Sequence, residues 1–210
     1  MKILVLSDET CQAFYDYYVP GRLDGYDLII SCGDLNPKYL SFVVTMARVP
    51  VLYVHGNHDG GYSQVPPEGC DCIDDNLIVY KGVRILGLGG SRRYRTGPHQ
   101  YTEKEMDKRI RKLRWKLWRH KGVDIVVTHA PPAGVGDIDD LVHQGFKSFL
   151  KFMDKYRPKY LLHGHVHLNY TTDRTRVREY GSTQVINAYQ RYVLEVSDEE
   201  LGYDKNALYY

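Results

Sequence analysis

The sequence predicts an α/β layered fold, and three observations carry that reading. Short apolar runs rich in Val, Ile and Leu recur along the chain, helical or loop segments alternate with them, and five of the runs close on an acid, an amide or an imidazole. Those endings are KILVLSD at Asp8, DLIISCGD at Asp34, VLYVHGNHD at Asn57, His58 and Asp59, DIVVTH at His129, and YLLHGHVH at His165 and His167. In open α/β sheets, ligands and catalytic groups gather beyond the carboxyl ends of the strands, so one shared metal-binding cleft is expected.

Taken in order, the strand signals cover Lys2 to Ser7, Asp27 to Cys32, Val51 to His55, Leu77 to Tyr80, Val83 to Leu88, Asp124 to Thr128 and Tyr160 to His163. Pro37 to Ala47 and Phe146 to Lys155 read as helices between strands. From Glu103 to Lys121, Met106, Ile110, Leu113, Leu117 and Trp118 recur at helical spacing, which predicts an apolar stripe packed on the core. The remainder of that segment carries nine Lys or Arg against three acids, a basic face whose expected nucleic-acid association is weak and non-specific at most. After His167, TRVREY and QVINAYQRYVLEV read as antiparallel strands closing a second sheet. Three loops, Gly60 to Asn76, Gly89 to Thr102 and Pro131 to Gly145, adjoin motif-bearing strands and are the expected substrate readers. The tail from Asp198 to Tyr210 has little pattern and is expected to fray.

A chain of 210 residues is read as a single domain, residues 1–210. Its 43% hydrophobic and 26% charged content is ordinary for a soluble globule, and a net charge of +2 selects no class of partner. Residues 1–7 enter a strand pattern directly, and no apolar stretch approaches the roughly 18 residues of a membrane span, so a cytoplasmic protein without a membrane role is expected. The spacing of Cys70 and Cys72 is compatible with metal, but with no paired C-x-x-C sets the four cysteines read as reduced thiols.

Asp8 in SDET, Gly33-Asp34, Gly56-Asn57-His58-Asp59, Thr128-His129-Ala130 and Gly164-His165-Val166-His167 follow the order of D-x-H, G-D, G-N-H-D, H and G-H-x-H. In this the chain resembles the calcineurin-like metallophosphoesterases, over Asp8 to His167. G-N-H-D and G-H-x-H in this order are specific; a lone G-D is not. The resemblance implies two packed mixed β-sheets flanked by helices, a four-layer sandwich. It also implies a phosphoesterase, with a phosphodiesterase expected, acting on a phosphorylated small-molecule or nucleotide-like substrate. Two divalent ions, from among manganese, iron, zinc or nickel, are expected to bridge a hydroxide and neutralise the phosphate.

By that resemblance Asp34 bridges both ions, Asp8 and His167 serve the first, and Asn57, His129 and His165 serve the second. His58 would protonate the leaving group, and Asp59 would orient it. Where the family expects a histidine ligand, this chain has Thr10, so a weaker first site is expected unless Glu9 swings in. Within the extended reading of G-H-x-H, His165 and His167 share one side while Val166 points into packing. Arg92 and Arg93, with Arg95, present paired donors suited to a phosphate, and His143, in a loop with Asp137, Asp139 and Asp140, is a further candidate to reach the site. Two other readings stay open: a binding scaffold with little catalysis, supported by Thr10, and a nuclease or nucleic-acid-binding protein, drawn from the basic helix and the nineteen tyrosines.

Overall fold

The computed structural model describes residues 1–169 and 175–197; the expected fraying of Asp198 to Tyr210 lies outside them. From the N-terminus, β1 (Lys2–Ser7) and β2 (Leu28–Ser31) lead to α1 (Pro37–Ala47), β3 (Val51–Tyr53), β4 (Asp71–Cys72), β5 (Asn76–Tyr80) and β6 (Val83–Leu88). A short pair, β7 (Ser91–Arg92) and β8 (Gln100–Tyr101), precedes α2 (Glu103–Lys112), α3 (Arg114–Arg119) and β9 (Ile125–Thr128). Then come α4 (Lys147–Tyr156), β10 (Tyr160–His163), β11 (Val177–Tyr180), β12 (Thr183–Asn187) and β13 (Gln190–Glu195). The expected strands and helices before His167 are all present, and the layered α/β expectation holds.

One sheet has the order β13-β1-β2-β3-β4 and the other β11-β12-β10-β9-β6-β5. The end of the chain departs from expectation. β11 and β12 pair antiparallel in the second sheet, but β13 crosses back and pairs antiparallel with β1 in the first, Lys2 opposite Glu195. The C-terminal hairpin region therefore clasps both sheets instead of closing one.

Alternation along the strands builds three apolar layers. In β1, Ile3 and Val5 face the core between the sheets with Ile30, Ile85, Val127 and Leu162, while Leu4 and Leu6 face α1 with Tyr39, Leu40 and Val43. On the far side of the second sheet, Leu86, Leu88 and Val126 pack against Met106, Phe149 and Phe152 of the helices. Burying each such side chain contributes roughly 1.5–3 kcal/mol relative to leaving it in water. The result is the four-layer sandwich of helix, sheet, sheet and helices.

Asn36 caps α1 by accepting from Lys38 N at 2.9 Å, and Thr102 and Glu105 form a capping box at the start of α2. The apolar stripe from Glu103 to Lys121 does not run on as one helix: Leu113 separates α2 from α3. Met106, Leu113 and Leu117 are buried as expected, but Trp118 is 76% exposed. Trp118 follows Leu117 by one residue, about 100° round the helix, and so falls off the line of Met106, Ile110, Leu113 and Leu117. Arg109 leaves the basic face altogether; it is buried and holds Asp75 and the Gly89 carbonyl. No helix among the described residues is long and apolar enough to cross a membrane.

Candidate metal centre

β1, β2 and β3 run parallel in one sheet, and β6, β9 and β10 run parallel in the other. Their carboxyl ends therefore open on the same edge of the sandwich. Asp8 follows β1, Asp34 lies just past β2, Asn57 past β3, His129 follows β9, and His165 and His167 lie past β10. Asp8, Asp34 and His165 all adopt positive φ, at 65°, 56° and 66°. Left-handed backbone costs energy for a side-chain-bearing residue, and such strain gathers where chain direction must serve a site. At Gly164 a Cβ would collide with Ser7 Oγ and Asp8 Oδ2, so only glycine lets β10 turn into the cleft there.

His129 is fully buried and sits at the centre of the arrangement. Its Nδ1 lies 2.8 Å from the Cys32 carbonyl and is therefore the donor nitrogen. Its Nε2 then faces Asn57 Oδ1 at 3.0 Å and Asp34 Oδ2 at 3.2 Å. A ring nitrogen with two oxygens around it marks a place that calls for a cation. Burial alone would lower the His129 pKa, but the neighbouring Asp34 carboxylate outweighs it and raises it to about 9. Burial would likewise raise Asp34, and the His129 charge reverses this, holding the carboxyl at about 2. The pocket thus stabilises positive charge at Nε2 and negative charge on Asp34. Asp34, His129 and His165 bring one donor atom each to within 4.8 Å of one another, and this set of imidazoles, carboxylate and amide oxygen fits a divalent ion.

The remaining predicted ligands fall around this core. His165 Nε2 lies 2.9 Å from the Val142 carbonyl, which leaves Nδ1 for a ligand role; burial and then the His129 charge press its pKa down to about 3. Asp8 accepts from His165 N at 2.9 Å and faces His167 Nε2 at 3.7 Å. Gly164 to His167 is not an extended segment. Val166 N bonds back to the Gly164 carbonyl at 2.7 Å, so a tight turn, and not strand alternation, sends the two histidines to the cleft while Val166 is buried.

His58 donates its backbone N–H to Asp34 Oδ1 at 2.7 Å, and its ring, 61% exposed, stands with Nε2 4.0 Å from Asp34 Oδ2. The Asp59 carboxylate accepts from Asp34 N at 2.8 Å and Gly56 N at 2.7 Å, tying the two glycine turns together. Burial and the Asp34 charge raise its pKa to about 6. The structure thus places Asp59 on the loops that carry Asp34 and Asn57. Glu9 is directed elsewhere, its carboxylate accepting from Tyr189 at 2.5 Å and Gln190 at 2.8 Å.

At the rim, Arg92 donates to Gln144 at 2.7 Å, and Arg93 engages both Glu105 oxygens at 3.0 Å. His143 pairs with Asp140 at 2.7 Å, and its ring lies 5.4 Å from that of His165. Two contributors were beyond sequence reasoning. The Cys32 carbonyl sets the His129 tautomer, and Tyr94 accepts from Asn57 Nδ2 at 3.3 Å, aiming the amide oxygen at His129. A backbone oxygen has no sequence signature, and Tyr94 is one tyrosine among nineteen.

The family model for calcineurin-like phosphoesterases matches residues 1–169. An uncharacterized protein of Methanocaldococcus jannaschii is 28% identical over 78% of each chain. A UPF0046 protein of Caenorhabditis elegans is 26% identical over 90% of this chain and 70% of its own length. The crystal structure of TT1561 of Thermus thermophilus superposes with a TM-score of 0.58 at 16% identity, covering 90% of this chain and 89% of that one, and so shares the fold. With a family match across most of the chain and the motif residues drawn together in one cleft, the protein belongs to the calcineurin-like phosphoesterases, a family of metal-dependent hydrolases of phosphate esters.

Proposed function

We propose that this chain is a binuclear phosphodiesterase acting on a small or nucleotide-like phosphate ester. The supporting observation is the convergence on His129 Nε2, with Asn57 Oδ1 and Asp34 Oδ2 at 3.0 and 3.2 Å. In this reading Asn57, His129 and His165 hold the second ion, Asp8 and His167 the first, and Asp34 both, with manganese the expected metal. Two bound ions would neutralise the phosphate and supply an acidified water for attack.

The rest is done by the chain. The Cys32 carbonyl accepts from His129 Nδ1, so Nε2 is the nitrogen that would give up its proton and face an ion. Asp34 is pinned by His58 N at 2.7 Å, which fixes the plane of its carboxylate. The exposed His58 ring faces the open side of the cleft, where it can give a proton to a departing alkoxide. An alkyl phosphate ester has a poor leaving group and gains most from such an acid.

The binding-scaffold reading draws on Thr10 and on the engagement of Glu9 by Tyr189 and Gln190. One experiment separates the two. Aryl phosphodiesters, monoesters and cyclic nucleotides are incubated with Mn²⁺, Fe²⁺, Zn²⁺ and Ni²⁺, with and without chelator. Metal-stimulated diester cleavage abolished by chelation is expected; flat progress curves across the panel would establish the scaffold.

A further inference from the structure

Three donors from the segment after β3 meet on the side of the molecule occupied by Tyr53 and Tyr62. His55 Nδ1 lies 2.6 Å from Asp74 Oδ2 and 3.8 Å from Cys72 Sγ, and the three donor atoms are all within 4.8 Å of one another. Both neighbours approach the same ring nitrogen. That nitrogen carries at most one proton, which the nearer carboxylate accepts, and the Cys72 sulfur stands beside the pair as a third ligand atom. A single cation at their common focus satisfies all three.

The carboxylate is set for this. Its Oδ1 is occupied by Gly89 N at 2.7 Å, with Arg109 at 3.7 Å, while Oδ2 is turned toward His55. The His55 ring is held by stacking on His99 at 4.3 Å and by edge contact with Tyr53 at 5.4 Å. Cys72 is exposed, so a cation can enter from solvent and keep a water as its fourth ligand.

We infer that His55, Cys72 and Asp74 form a separate, thiolate-containing site for a borderline-soft divalent cation such as Zn²⁺ or Co²⁺. Imidazole, thiolate and carboxylate are the ligand types that suit these ions. On binding, the Cys72 thiol proton and the proton between His55 and Asp74 leave to solvent, and bonds of about 2.0–2.3 Å replace them. The ring and carboxylate must part slightly, since each then contacts the ion and not the other. An ion there would join the end of β3, β4 and the residues before β5. It would brace the turn that carries Asn57 into the cleft.

The test uses Co²⁺ as probe on the chelator-stripped full chain. The centre at Asp34 has no sulfur ligand, so a thiolate-to-cobalt charge-transfer band in the near ultraviolet reports the new site alone. The expected result is such a band in the wild type, lost in Cys72→Ser together with roughly one equivalent of bound metal. Because Cys72 is exposed, the substitution should leave the circular dichroism spectrum unchanged, which separates a lost ligand from a lost fold. No band at saturating Co²⁺, or a band that survives Cys72→Ser, would overturn the inference.

Discussion

Around Asp34, the donors of Asp34, His129 and His165 lie within 4.8 Å, and both imidazoles are buried. Around Asp8, His167 stands 3.7 Å away with 28% of its side chain exposed, and Thr10 occupies the position where an imidazole is expected. His129 and Asn57 are oriented by the Cys32 carbonyl and Tyr94, and His167 packs on the Tyr189 ring at 4.8 Å while facing Asp8. Both halves draw on both sheets, and Asp8 is itself tied to His165 N at 2.9 Å, so what sets the first half apart is the exposed His167 and Thr10, which leave it more dependent on what the ion itself imposes.

The residue shared by the halves gives the largest expected effect. Asp34→Ala should lower turnover about 10³-fold or more, since several kcal/mol of charge stabilisation at both ions goes with it. His167→Ala, measured at saturating metal, should cost less. Equal losses in the two variants would show that Asp34 does not bridge and would dissolve the comparison.

His58 belongs to neither half, which makes it a separate test of the chemistry. His58→Ala should lower kcat by about 10² to 10⁴ on esters with poor leaving groups and far less on activated aryl esters. Metal content should be unchanged, because the contact with Asp34 Oδ1 comes from the His58 backbone. An equal loss on both substrates accompanied by lost metal would make His58 structural.

A smaller effect probes the support of the second half. Tyr94→Phe removes the acceptor for Asn57 Nδ2 and should weaken metal retention there by roughly 10-fold, the lower end of what such orienting partners contribute. Titration of the stripped protein with Mn²⁺ measures it. Unchanged affinity would mean that the turn from Gly56 to Asp59 orients the amide unaided.

What could be read from the sequence follows the same division. Residues at strand ends were legible because position along a strand fixes position at the sheet edge: Asp8, Asp34 and His129 lie just past β1, β2 and β9, while the β10 histidines follow it through a turn that alternation did not foresee. Contacts made by loops were not. His55 and Asp74 are nineteen residues apart, across a loop whose path no periodicity encodes. The return of β13 to β1 was equally hidden, since antiparallel signals do not say which sheet a strand joins. The break at Leu113 lacks a proline or glycine to announce it, and Trp118, next to the buried Leu117, lies at the surface because it falls off the helical line of Met106, Leu113 and Leu117.

The smallest expected change in rate comes from restoring the missing ligand. Thr10 is half-buried beside Asp8, and a threonine hydroxyl is a poor neutral ligand, so the first ion should be held by Asp8, Asp34, His167 and water. Glu9 does not relieve this, because its carboxylate already accepts from Tyr189 and Gln190. On dialysis the second ion should remain while the first exchanges, and anomalous scattering would show unequal occupancy. Thr10→His should then slow loss of the first ion and lower the metal concentration needed for half-maximal activity. At saturating metal the rate should barely move, since both variants carry two ions there. Two equally tight sites in the wild type, with Thr10→His altering neither retention nor metal dependence, would show that the two halves are energetically equivalent despite their unequal construction.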